Sequence, residues 1–162
     1  MRLIGLFLVL ALALGIAMDP GADARAATPS IGKDGIVMVK SAYPMAETIA
    51  RLKQDIAGKG IMFFAEIDQS KLAGDAGIAL RPSTLLIFGN PPLGGQFLTA
   101  NPIAGIDWPV RLLVYEDANR DVWTAYTDFG YIADRHGIAN RDDQFKMASA
   151  VIASITSSVA AK

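Results

Sequence analysis

"RPSTLLIFGNPPLGGQFLTANP", Arg81 to Pro102, decides how this chain is read. Four consecutive apolar residues, Leu85 to Phe88, form a strand that runs into Gly89-Asn90-Pro91-Pro92 and then a double glycine. Strand followed by glycine-rich loop is the frame of many phosphate sites. A phosphate cradle, however, needs backbone N–H groups converging at a helix N-terminus, usually with a lysine and a hydroxyl beside them. Pro91 and Pro92 remove two donors where the cradle would form. No Gly-Lys-Ser/Thr follows, and no G-x-G-x-x-G spacing occurs. The segment therefore reads as a rigid turn that walls a pocket. Pro91 holds Asn90 extended, and Gly89 allows close approach or an unusual backbone angle. A short helix is expected around Gly95–Ala100.

Working outward, "STLLIFGN" (83–90) is a strand whose unbroken apolar run predicts a central position covered on both sides. Before it, "DGIVMVKSAY" (34–43) and "IMFFAEID" (61–68) read as strands. Between those two, Pro44 suits a first helical turn, Met45, Ile49, Leu52 and Ile56 recur at helical spacing, and Gly58 and Gly60 end the helix. "QSKLAGDAGIAL" (69–80) is a connection with room for one helical turn. After the glycine-proline segment, "PVRLLVYED" (109–117) and "DVWTAYTD" (121–128) flank a short polar joint and predict an antiparallel hairpin. "FGYIADRHG" (129–137) is a short helix closed by Gly137. Asn140 is placed to cap a last helix whose inner face carries Phe145, Ala148, Ile152, Ile155 and Val159. The fold class is α+β: a mostly antiparallel sheet of about five strands with helices packed on it, in a single domain over 34–160.

The chain opens on Met1-Arg2, continues without charge from Leu3 to Met18, and reaches the small-residue stretch "ADARAA". That order predicts a secretory signal over 1–26, cleaved after Ala26, with a mobile lead-in over 27–33. The alternative is an uncleaved anchor, for which the uncharged run is short of the roughly 20 residues a span requires. Export to the periplasm or medium follows. The 162 residues contain no cysteine and carry a formal net charge of −1. Thiol chemistry is excluded, the periplasm suits a domain without disulfides, and nothing supplies the basic face that nucleic acid requires.

"KLAGDAGIALRPSTLLIFGNPPLG", "ANPIAGIDWPVRLLVYED" and "YIADRHGI" together resemble a bacterial and archaeal family called domain of unknown function 302, over about Gly35 to Ile155. The resemblance implies a small α+β domain. It implies no activity, cofactor or catalytic residue, and it draws attention to Arg81, Pro82, Gly89, Asn90, Pro91 and Pro109.

Four residues stand as ligand-binding candidates: Arg81, Asn90, Asp107 and His136. Arg81 is expected to be partly buried and to pair with a carboxylate, a ligand's or one of Asp75, Asp107 and Glu116. His136 is the only histidine; a metal site needs more than it, and no cofactor is expected. No G-x-S-x-G marks a serine hydrolase. Glu116 and Asp117 are adjacent strand residues facing opposite sides, a hairpin rim rather than a catalytic pair. Tyr115, Trp123 and Tyr126 read as sheet packing. Two functions remain open. The first is a non-enzymatic module binding a small molecule or a partner. The second is an enzyme using Arg81, Asp107 and His136 across one cleft. A homodimer is expected, with the broken apolar segment 97–109 at its contact and Trp108 among the anchors.

Overall fold

The computed structural model describes residues 30–161, so the signal reading of 1–26 and the start of the lead-in lie outside the described residues. Ser30–Ile31 (β1), within the expected lead-in, pairs with Ile36–Lys40 (β2) at the edge of the sheet. Then come Met45–Gly58 (α1), Met62–Asp68 (β3), Gln69–Asp75 (α2), Ser83–Gly89 (β4), Pro91–Ala100 (α3) and a 3₁₀ turn at Pro102–Ile106. Val110–Glu116 (β5), Val122–Thr127 (β6), Phe129–His136 (α4) and Asp142–Ser157 (α5) complete the chain. Five full strands and the short β1 form one antiparallel sheet in the order β1-β2-β6-β5-β4-β3.

Every long helix shows its buried stripe to the same sheet face. Leu52 and Ile56 of α1, and Ile152 and Ile155 of α5, pack with Leu86, Phe88, Leu112 and Val114 into one core. Each such side chain contributes about 1.5–3 kcal/mol on burial. Thr48, fully buried on α1, meets Ser41 Oγ at 2.7 Å and donates to the Tyr43 carbonyl, so its hydroxyl stays satisfied.

Three local readings are corrected. β4 is not covered on both sides: Thr84, Leu86 and Phe88 are buried, whereas Leu85 and Ile87 are half-buried on the face away from the helices. A continuous apolar run cannot distinguish a strand sandwiched by its own chain from one whose second face is apolar for another reason. The helix expected near Gly95 begins at Pro91, directly after the strand. Prolines at the first two helical positions forgo N–H groups that would lack partners anyway, so the pair starts a helix rather than fixing a turn. Asn140 does not cap α5; Arg141 occupies that position and makes no side-chain cap bond, while Asp142 and Asp143 sit in the positive first turn.

Candidate functional site

Asn90 joins β4 to α3 in extended backbone (φ −106°, ψ 106°), and its Oδ1 accepts from Leu93 N at 3.1 Å. This is an asparagine N-cap followed by prolines at the first two helical positions. Gly94 on the buried side of α3 leaves a notch that the Trp108 indole fills. A Cβ on Gly94 would lie 2.0 Å from Trp108 Cε2, and one on Gly89 would lie 3.2 Å from Trp108 Nε1. Gly89 is thus a close-approach glycine. Phe64 meets Trp108 edge-on, ring centroids 6.2 Å apart. Deeper in, Phe97 stacks on Phe145 at 4.2 Å and leans on Phe129 at 6.1 Å.

α3 and α5 do not close completely over this aromatic floor. Between them runs a cleft of about 670 Å³, with Leu93, Met147 and Val151 on its apolar walls and Lys59, Gln96, Gln144 and Ser154 among its polar residues. Ile61, Asn90, Leu93 and Val151 also line a smaller cavity of about 40 Å³ that reaches Trp108, Phe88 and Phe97. A groove with apolar walls and a few polar groups is the usual form of a small-molecule site. Of the four candidates from the sequence, only Asn90 lines it.

Asp107 and His136 meet elsewhere. Asp107 Oδ2 accepts from His136 Nε2 at 2.7 Å, and both side chains are nearly buried, 7% and 5% exposed. Arg111 and Arg135 flank the same carboxylate at 3.3 and 3.4 Å, and Arg111 also donates to the Ile106 carbonyl. Asn101 caps the 3₁₀ turn and donates to the His136 carbonyl at 2.9 Å. The cluster ties that turn to the end of α4, a structural clasp. Sequence reasoning missed Asn101; an asparagine directly before a proline that opens a turn was the available signal.

Arg81 is exposed, and among the described residues it has no carboxylate within ion-pair reach. Asp75 pairs with Lys71 and Glu116 with Arg120, so the expected partners are taken. Arg81 lines a groove with Tyr115 and Glu116 at the C-terminal end of β5, whereas Asp107 precedes the N-terminal end of that strand. Arg81, Asp107 and His136 therefore share no cleft. Asp117 serves its hairpin, as a rim residue should. Burial opposes its ionisation, but hydrogen bonds from Trp123 Nε1 and the amides of Asp121 and Asn119 outweigh that and hold its carboxyl below the ordinary value.

The segment 97–109 mostly folds back on its own domain. Phe97 is buried and Trp108 sits in the glycine notch, leaving Ile103 and Ile106 as its exposed large apolar residues.

The architecture defines an α+β domain, one antiparallel sheet with the long helices α1 and α5 packed on one of its faces. Residues 37–155 match the family described as Domain of unknown function DUF302, and the chain belongs to that family. The fold is shared with a crystal structure of an uncharacterized conserved DUF302 protein from Bacillus stearothermophilus: TM-score 0.71, 17% identity, 77% of this chain and 98% of that one covered. Curated relatives include proteins named fluoride-specific ion channel FluC 1 from Brucella suis biovar 1 and from Brucella abortus biovar 1. Both are 35% identical over 114 residues, 70% of this chain. The chain spans less than half the length of these relatives, 45% and 42%.

Proposed function

We propose that the chain is an exported, non-catalytic binding module whose ligand is a small amphipathic molecule held between α3 and α5. The observation that carries this reading is the cleft itself, four of whose lining residues, Ile61, Asn90, Leu93 and Val151, also wall the small cavity beside Trp108. An apolar body can rest against Leu93, Met147 and Val151 while a polar group stays near Asn90, Gln96 and Lys59. The enzyme reading lacks this support, because its three residues do not converge on one space. The stretch shared with the Brucella relatives that carry a channel name is under half of their length.

Trp108 is the natural reporter. The chain has two tryptophans, so Trp123→Phe leaves it alone. Decanoate titrated into that variant is expected to change Trp108 emission saturably, and Val151→Phe, which fills the cleft, should weaken the response at least tenfold. No saturable change, or an equal one in Val151→Phe, would contradict this site.

Export rests on the basic start, the uncharged run and the small-residue stretch. Expression of the full sequence in a Gram-negative host should yield a periplasmic protein whose N-terminus lies within a few residues of Ala27. Intact Met1 in the membrane fraction would replace export by anchoring.

A further inference from the structure

The sheet face turned away from the helices is apolar where a water-facing face should be polar. In an antiparallel sheet with one solvated side, outward positions ordinarily carry polar residues. Here Met38, Ala125, Leu113, Leu85 and Ile67 stand in one direct cross-strand row, from β2 through β6, β5 and β4 to β3. Trp123 and Tyr115 pair on one flank of that row, and Ile87 lies on the other. All are half-buried, shielded only in part by one another. Beside them, Ile78 and Leu80 in the loop after α2 are 61% and 50% exposed. Leu80 borders a groove of about 380 Å³ shared with Leu113 and Tyr115. Face and loop thus form one largely apolar surface, with Arg81, Ser83 and Glu116 in the groove between them.

We propose that this surface is the contact between two copies of the chain, stacked sheet on sheet. A two-fold axis lying along the row sets each of its five residues opposite its own copy, an isologous contact between identical apolar positions. The same axis turns Arg111, paired with Ile87, toward the Tyr115 flank of the other copy, where a guanidinium on an aromatic ring is favourable. Size agrees. Five strands about 4.8 Å apart and roughly 20 Å long give a footprint of about 450 Å² per copy. Two copies with their overhanging loops bury on the order of 1,000 Å², the scale at which specific association begins. A lipid surface fits less well. Of the cations of this face, Lys40 and Arg111 already pair with Asp121 and Asp107, which leaves Arg81, in the groove beside Leu80, as the one unpaired cation among the described residues there, too little to draw the face onto anionic headgroups.

Light scattering after size exclusion tests this on protein expressed from the full sequence, across about 1–100 μM. The wild type is expected to be a dimer. Leu113→Glu and, independently, Ala125→Arg are expected to raise the dissociation constant at least 100-fold, with circular dichroism unchanged, because both positions face water in the monomer. Ile106→Glu should leave the dimer intact. A monomeric wild type at 100 μM overturns the proposal. So does a dimer that persists in both folded sheet variants, and so does one lost in Ile106→Glu but kept in Leu113→Glu, which would move the contact to the 97–109 segment.

Discussion

Alanine at Gly94 is expected to lower the midpoint of thermal unfolding by about 10 °C, and alanine at the neighbouring Gly95 to raise it by about 2–3 °C. Both glycines lie inside α3, where alanine has the better intrinsic propensity by about 0.8–1 kcal/mol. At Gly95 nothing lies within 4 Å of the added methyl, so the propensity gain is kept. At Gly94 the methyl would land 2.0 Å from Trp108 Cε2, and ring atoms cannot give way as the tip of a flexible chain can. Either α3 lifts or the indole leaves its notch, and overpacking of that kind costs about 1–3 kcal/mol or more. Because Trp108 also walls the inner cavity, the same substitution should shift its emission even without ligand. Calorimetry on the two single variants checks the sign and size together. Equal shifts would mean that the notch does not constrain the helix.

Asp107→Ala is expected to destabilise the fold by about 3 kcal/mol, the usual cost of removing one partner from a buried pair. The substitution leaves His136 Nε2 without its acceptor in a nearly closed site, and it sets Arg111 and Arg135 beside each other with no carboxylate between them. Asp107→Asn keeps an oxygen for the histidine and should cost about half as much. Urea denaturation of both variants is the measurement. A change below about 0.5 kcal/mol in Asp107→Ala would show that the clasp carries no stability.

Most of the fold was written in periodicity. Apolar spacing along α1 and α5 named the residues that line the core, and the polar joint at Ala118-Asn119-Arg120 named the hairpin, Arg120 taking the left-handed turn position at φ 69°. The site was legible only in part. Asn90-Pro91-Pro92 was visible as a cap-and-proline signal, but a turn and a helix start use the same residues, and which one forms depends on whether Gly94 finds something to pack against. Trp108, fourteen residues on, supplies it. Arg81 misled because an arginine beside an apolar strand looks partnered, while its intended carboxylates were taken by nearer cations.

The sequence by itself determined most of the strands and the long helices, the antiparallel hairpin of β5 and β6, and which faces of α1 and α5 turn inward, because each follows from the spacing of neighbours along the chain. Tertiary structure alone decided that β5 holds Arg81 apart from Asp107 and His136, that α3 and α5 leave a cleft, and that the sheet's second face is an apolar row across five strands. Those properties depend on strand order and register, which couple residues tens of positions apart through contacts that no local pattern encodes.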